Sequence, residues 1–198
     1  MAIQAVKPPV ISDSGAKRRK LTVDELYALV RAGFIVERAR VELIDGELYE
    51  MTPPSSEHAG IVKYLSKMLE RCYGGEAIVS TQDPVYLSQH DFVEPDIAIL
   101  KYREDFYTKA HPTPADVLLL VEVSKSTLTY DKTQKLALYA RSNVLELWLI
   151  NLEAKLVEVY RQPTSTGYSE VATAGVGQAL APLAFPDRAL VVLHEALF

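Results

Sequence analysis

Asp116-Val-Leu-Leu-Leu-Val-Glu122-Val-Ser124 is the most informative segment of the chain, because five consecutive apolar residues precede Glu122. A short apolar run of this kind predicts a strand buried on both faces of a sheet. A carboxylate buried there without a partner would cost several kcal/mol. The pattern therefore predicts that a metal ion or a cationic side chain lies beside Glu122. Asp96, at the start of an earlier strand, is the candidate to share a metal ion, and Lys135, on the following helix, is the candidate cation.

The segments on both sides of this strand predict an α/β protein with a mixed central sheet flanked by helices. A capping box at Thr22 and Glu25 begins the first helix, and Asp45-Gly46 is a strong hairpin signal. A buried strand, a crossover helix and another apolar strand predict a βαβ unit. Upstream of residue 116 the predicted elements are helix 22–31, hairpin 41–51, helix 57–72 and strands 77–81, 85–88 and 96–100. Downstream they are helix 131–141 and strands 145–151, 156–161, 168–173 and 189–193.

Length and composition predict one domain. The chain has 198 residues, so we expect a flexible N-terminal tail over residues 1–20 and a single domain over residues 21–198. In the tail, Lys17-Arg-Arg-Lys20 is either a phosphate contact or a solvated charge cluster. Cys72 is the only cysteine, which excludes a disulfide framework and a cysteine-based zinc site. Without a membrane-length apolar stretch or the apolar core of a signal peptide, the sequence predicts a cytoplasmic protein.

The distribution of charge bears on nucleic-acid binding. A net charge of −5 lowers the expectation of a general nucleic-acid binder, because such proteins are normally basic. Between Lys101 and Arg141, however, seven Lys and Arg residues stand against five Asp and Glu residues. A local basic rim around an acidic metal centre is therefore compatible with the sequence.

Asp96, Glu122 and Lys135 have the chemistry of a metal-dependent phosphodiesterase. Mg²⁺ takes oxygen ligands and keeps several waters, so two carboxylates suffice to hold it against a phosphate. A lysine beside the metal would orient the attacking water or stabilise the developing negative charge. Lys135 is four residues from both Asp131 and Tyr139, so the three share one helical face. The alternative is that Asp131 and Lys135 form an ordinary surface ion pair.

Four motifs follow one another along the chain: Val93-Glu-Pro-Asp96-Ile-Ala-Ile, Leu120-Val-Glu122-Val-Ser124-Lys-Ser-Thr127, Asp131-Lys-Thr-Gln-Lys135-Leu-Ala-Leu-Tyr139-Ala140 and Glu146-Leu-Trp148. Together they resemble the bacterial restriction endonucleases of the Uma type, a family of the PD-(D/E)XK nuclease superfamily. The stretch from Glu42 through Asp45-Gly46-Glu47 and Met51-Thr-Pro53 to His58 is similar to the N-terminal signature of that family. The resemblance runs from about Leu21 to Arg161, which is most of the chain.

The resemblance implies a restriction-endonuclease-like core, with the hairpin as an N-terminal addition, and Mg²⁺- or Mn²⁺-dependent hydrolysis of DNA. Asp96 and Glu122 would match the two metal-binding acids. Ser124 stands where the superfamily normally has its lysine, and Lys135 looks like the replacement, which its long stem allows. The chain departs from the family pattern at Asn143, Leu147 and Asn151, and these departures look structural.

Two further residues are secondary candidates for the site. Glu42 is either a third acid or an exposed residue on a half-buried strand. His58, near a helix N-terminus, either contacts a phosphate or water or is a polar residue of the helix start.

The sequence as a whole predicts a metal-dependent endonuclease acting on DNA. The alternatives are a catalytically inactive nuclease fold that binds DNA or protein, and a phosphoesterase acting on small nucleotides. A homodimer is plausible for cutting two strands.

Overall fold

The computed structural model describes residues 19–36, 39–125 and 128–197. Most of the predicted tail, including Lys17 and Arg18, lies outside these residues, as do Ser126 and Thr127 of the second motif. The division into a tail and a single domain stays a prediction. Within the described residues, no helix is long and apolar enough to span a membrane.

A six-stranded mixed sheet forms the centre of the fold, and it confirms the predicted α/β class. Its strand order is β10-β9-β8-β7-β6-β3, and the pair β7–β8 is parallel while the others are antiparallel. The apolar run that precedes Glu122 lies in the buried central strand β7. The bounds are β3 (Ala77–Thr81), β6 (Ile97–Lys101), β7 (Val117–Ser124), β8 (Glu146–Asn151), β9 (Leu156–Pro163) and β10 (Tyr168–Gly175).

The predicted hairpin is the edge of a second, antiparallel sheet of order β2-β1-β5-β4. Asp45 and Gly46 have φ values of 53° and 74°, the left-handed geometry that a two-residue hairpin turn needs. The neighbouring strand β5 was not predicted; it pairs with β1, three of whose four residues are buried. The bounds are β1 (Val41–Ile44), β2 (Glu47–Glu50), β4 (Val85–Ser88) and β5 (Asp91–Val93).

Two helices begin at caps that the sequence supplies. Helix α1 (Val23–Arg31) follows the capping box at Thr22, and helix α2 (Ser56–Tyr73) follows Ser55, whose side chain accepts a hydrogen bond from the backbone of His58. Helix α2 packs its buried face, including Ile61, on one side of the central sheet. Its first turn therefore lies near the edge where Asp96 precedes β6.

The crossover between β7 and β8 lies on the other face of the sheet and differs from the prediction. Helix α3 (Leu128–Tyr130) is followed by a π-helical turn (Asp131–Lys135) and then by α4 (Leu136–Arg141). The helical path thus begins three residues earlier than predicted and contains an irregular turn. Such π-helical insertions are rare and often occur at functional sites. Leu138 and Tyr139 of α4 pack against the sheet.

The remaining elements are short and peripheral. A two-stranded ribbon joins β11 (Ala179–Leu180) to β12 (Leu190–Val191), and the second of these corresponds to the predicted strand 189–193. Two 3₁₀ turns cover Pro114–Asp116 and Glu195–Leu197.

Candidate active site

The register of β6 and β7 brings Asp96 beside Glu122. Ile97 pairs with Val121 in this antiparallel pair, so the residue before Ile97 lies next to the residue after Val121. Asp96 Oδ2 accepts a hydrogen bond from the backbone N–H of Val123 at 2.9 Å, and the backbone N–H of Asp96 points to Glu122 Oε2 at 3.4 Å. The two predicted acids therefore meet at one edge of the sheet.

His58 reaches Asp96 from the first turn of α2. Its Nε2 lies 2.9 Å from Asp96 Oδ2, while its Nδ1 is buried without a hydrogen-bond partner in the described part of the chain. Burial alone would raise the pKa of Asp96, but the hydrogen bonds from His58 and Val123 hold that pKa below its ordinary value. The structure thus ties His58 to the carboxylate and not merely to the start of the helix.

Lys135 lies between two glutamates. Its Nζ is 3.1 Å from Glu122 Oε1 and 3.0 Å from Glu42 Oε1. The exposed fractions are 3% for Lys135, 4% for Glu122 and 0% for Glu42. The alternatives of an exposed Glu42 and of a surface pair between Asp131 and Lys135 are therefore wrong. Asp131 is buried as well, because the crossover helix packs this face against the sheet.

Burial and charged neighbours act in opposite directions on the pKa values of Glu122 and Lys135. Burial raises the pKa of Glu122 to about 8, although the nearby Lys135 acts in the opposite direction. Burial alone would lower the pKa of Lys135, but Glu122 and Glu42 hold it well above its ordinary value. Lys135 is consequently an ammonium ion at any physiological pH. The raised pKa of Glu122 brings its exchange of a proton close to neutral pH.

The structure adds two residues that sequence reasoning did not assign to the site. The hydroxyl of Tyr139 donates to Glu122 Oε1 at 2.5 Å, and the backbone N–H of Glu94 donates to Glu42 Oε1 at 3.0 Å. Both lie within the quoted motifs. The helical spacing of Lys135 and Tyr139 was the available signal for the tyrosine, which otherwise has the pattern of a core aromatic.

These groups lie at a cleft of about 460 Å³. Asp96, Glu122 and Lys135 are part of its lining. Glu42 is fully buried and holds Lys135 from behind that lining. The other residues around the cleft are Arg40, Met51, Thr52, Pro53, Pro54, Ser55, Glu57, His58, Glu94, Val123, Lys125 and Asp131.

The oxygens of the two acids fit a hard divalent cation. Asp96 Oδ2 and Glu122 Oε1 accept the shorter hydrogen bonds. Among the described residues, Asp96 Oδ1 accepts a hydrogen bond only from Gln82, at 3.3 Å. Glu122 Oε2 accepts one only from the backbone N–H of Asp96, at 3.4 Å. Each acid thus keeps one weakly bonded oxygen. No described group of three or more His, Cys, Asp and Glu side chains forms a preformed metal cage. Mg²⁺ does not require one, because it retains water ligands.

The departures from the family pattern lie away from the two acids. Asn143 adopts a left-handed φ of 62° in the turn after α4, a geometry that asparagine tolerates. Asn151 donates to Glu158 at 3.4 Å and accepts from the backbone of Ala154. Leu147 is buried in the core. All three have structural roles.

Comparison with known proteins gives a family. The model of Uma2, described as "Putative restriction endonuclease", matches residues 23–192. The chain belongs to the Uma2 family. This membership confirms the resemblance drawn from the four motifs and covers the whole candidate site. Among curated proteins, the Uma2 chain has no match.

A solved structure supports the same fold for this Uma2 chain. It is the crystal structure of a putative nuclease belonging to DUF820 from Anabaena variabilis, with a TM-score of 0.65 and 16% sequence identity. The match covers 87% of this chain and 95% of the other. At this identity the likeness establishes the restriction-endonuclease-like fold alone.

Proposed function

We propose that the chain is a metal-dependent endonuclease that hydrolyses phosphodiester bonds of DNA. The observation that carries the proposal is the pair of weakly bonded oxygens, Asp96 Oδ1 and Glu122 Oε2, on two acids that line a cleft with a charged lysine beside them. Membership in the Uma2 family supports the same reaction class.

Asp96 and Glu122 would hold Mg²⁺ or Mn²⁺ through these oxygens. A bound divalent cation neutralises charge on a phosphate and lowers the pKa of a bound water. His58 and the backbone N–H of Val123 fix Asp96 through its other oxygen. Tyr139 and Lys135 fix Glu122 in the same way. Each acid is therefore oriented before substrate arrives, which lowers the cost of binding in the correct geometry.

Lys135 would act as a fixed positive charge. Since Glu122 and Glu42 hold its pKa well above the ordinary value, it does not accept a proton from water. Its ammonium can instead donate hydrogen bonds to a phosphate oxygen as negative charge develops. Ser124, at the usual position of the superfamily lysine, carries no charge, so the cation comes from the crossover helix. Glu42 keeps that cation at the cleft.

Cleavage assays test the proposal. Supercoiled plasmid, linear duplex and heat-denatured DNA are incubated with the purified chain and Mg²⁺ or Mn²⁺, and EDTA is added to parallel samples. We expect cleavage that EDTA abolishes and that Asp96→Asn and Glu122→Gln reduce by at least about 100-fold. Lys109→Gln, an exposed position in the loop between β6 and β7, is the matched control and should cleave like the parent. Equal cleavage by parent and both acid variants would reject the assigned centre.

One observation favours a second candidate. A cleft of about 460 Å³ has the size of a small-molecule site, so a phosphoesterase acting on small nucleotides fits it. Hydrolysis of dinucleotides without any cleavage of longer DNA would support this candidate over the endonuclease. A chain that neither cleaves nor gains thermal stability with Mg²⁺ or Mn²⁺ would be the inactive binding module, because a metal that binds the folded state stabilises it.

A further inference from the structure

Asp96 has a second neighbour in the central sheet, on the side of β6 away from β7. Thr81, the last residue of β3, pairs with Ile97 of β6, so Gln82 lies beside Asp96 in this antiparallel pair. The backbone N–H of Gln82 donates to the backbone carbonyl of Asp96 at 3.1 Å. The side-chain amide of Gln82 donates to Asp96 Oδ1 at 3.3 Å. One residue therefore contacts both the backbone and the carboxylate of the proposed metal ligand.

The backbone of Gln82 has an unfavourable conformation. Its φ is 55°, in the left-handed region that glycine, asparagine and aspartate adopt more easily than glutamine. Such residues persist only where the surrounding structure holds them, and they cluster at functional sites. A glycine would end β3 with the same φ and no strain. What the glutamine adds is its amide, and that amide contacts Asp96.

The two oxygens of the Asp96 carboxylate are held from different elements. The backbone N–H of Val123 and the ring of His58 hold Oδ2, each at 2.9 Å, whereas Gln82 holds Oδ1. With Oδ2 fixed, the bond at Oδ1 sets the plane of the carboxylate. An oxygen of a carboxylate has two acceptor positions, so the amide leaves one position of Oδ1 for a cation. At 3.3 Å the bond is longer than an ordinary N–H···O bond, so Oδ1 keeps most of its ability to bind one.

We infer that Gln82 is a positioning residue for the metal-binding carboxylate of Asp96. The inference rests on the proposed function, because it concerns the divalent cation that Asp96 and Glu122 would hold. The left-handed backbone of Gln82 places the amide, and the amide directs the free acceptor position of Oδ1 before the cation binds. Loss of a group that hydrogen-bonds a metal ligand in this way typically lowers metal affinity by about 10- to 100-fold.

Direct measurement of Mn²⁺ binding tests the inference without catalysis. The electron paramagnetic resonance signal of free Mn²⁺ is followed during titration with the parent and with Gln82→Met, which keeps the length of the side chain and removes the amide. We expect Gln82→Met to bind about tenfold more weakly. Gln162→Met is the matched control, because Gln162 also has a φ of 55° and its amide donates to the exposed carboxylate of Glu170 at 3.0 Å. This control should bind Mn²⁺ like the parent.

Gln82→Gly separates positioning from stability. Glycine adopts the left-handed φ without strain, keeps the backbone N–H that donates to Asp96 and lacks the amide. Without metal, its melting temperature should stay within about 4 °C of that of the parent. Its affinity for Mn²⁺ should nevertheless fall as far as that of Gln82→Met. An affinity that follows the melting temperature of these variants, and not the presence of the amide, would show a merely structural role and overturn the inference.

Failure of the inference can be distinguished from failure of the proposed function. If Gln82→Met binds Mn²⁺ as tightly as the parent while Glu122→Gln loses binding, the assigned metal site stands and the inference is wrong. If the parent binds no Mn²⁺, or Glu122→Gln binds it as tightly as the parent, the proposed centre fails and the inference fails with it.

Discussion

Lys135 Nζ lies 3.1 Å from Glu122 Oε1, and both residues are almost completely buried. The lysine comes from a π-helical turn and the glutamate from the central strand of the sheet. A buried ion pair of this kind contributes little net stability, but loss of one partner leaves an uncompensated charge. The pair therefore makes the stability of the chain depend on the same residues as its proposed chemistry.

Lys135→Met should lower the free energy of unfolding by about 3–5 kcal/mol, because Glu42 and Glu122 would lose their shared cation. The double variant Lys135→Met, Glu122→Gln should be less destabilised than the single lysine variant, since one orphaned charge is removed. Urea unfolding followed by circular dichroism at about pH 9 measures both, because Glu122, with a pKa of about 8, is ionised there. An additive loss in the double variant would contradict the ion-pair interpretation.

Tyr139→Phe removes the hydroxyl that donates to Glu122 Oε1 and keeps the aromatic ring in the core. We expect a loss of about 0.5–1.5 kcal/mol in unfolding free energy together with weaker stabilisation by Mn²⁺, because Glu122 would be less firmly oriented. The control is Tyr168→Phe, which removes a hydroxyl bonded to the backbone of Val144. That variant should lose similar stability but keep its response to Mn²⁺, and an equal response of both variants would refute a positioning role for Tyr139.

Metal binding should depend on pH through Glu122. Burial raises the pKa of this residue to about 8, so a divalent cation must displace a proton at neutral pH. The affinity for Mn²⁺ should consequently rise between about pH 6.5 and about pH 9, with release of a proton that calorimetry in buffers of different ionisation enthalpy detects. Glu122→Gln should bind weakly at every pH in that range. A pH-independent affinity of the parent would show that Glu122 is not the titrating ligand.

The lowered pKa of Glu158 predicts that the folded protein loses stability in acid. Burial alone would raise the pKa of Glu158, but hydrogen bonds from Lys132, Tyr160 and Asn151 hold it below the ordinary value. Because the folded-state pKa is the lower one, the stabilisation is present above the unfolded-state pKa and is lost as pH falls through the folded-state pKa. The urea midpoint of the parent should fall more steeply than that of Glu158→Gln below about pH 4.5. Parallel curves would contradict this contribution.

Much of the fold follows from local sequence signals, and the pairing of the acids follows from the fold. The Asp45-Gly46 turn, the cap at Thr22 and the apolar run of β7 each gave the correct element. The adjacency of Asp96 and Glu122 was expected from two strands that place them at one sheet edge, and the structure has this arrangement. The catalytic and metal-binding roles of these residues stay predictions.

The environment of Glu42 and the crossover helix could not be read from the sequence. The Glu42 carboxylate is buried against Lys135 of the crossover and the backbone N–H of Glu94, and Glu94 follows β5, a strand of only three residues, which is too short to have a recognisable period. Asp131-Lys-Thr-Gln-Lys135 is polar throughout and has the pattern of a solvated helix face. Its burial depends on the π-helical turn. That turn results from packing against the rest of the protein and cannot be recognised in the local sequence.

The position of Lys135 on the crossover helix has a consequence during synthesis of the chain. The acids of β6 and β7 emerge from the ribosome before the helix, and the lysine reaches them only once α4 has packed Leu138 and Tyr139 on the sheet. Until that docking, Glu122 lacks both donors that orient it. In a nascent or partly unfolded molecule, Asp96, Glu122 and Lys135 are therefore not yet together. We expect the proposed hydrolysis only from the completely folded protein.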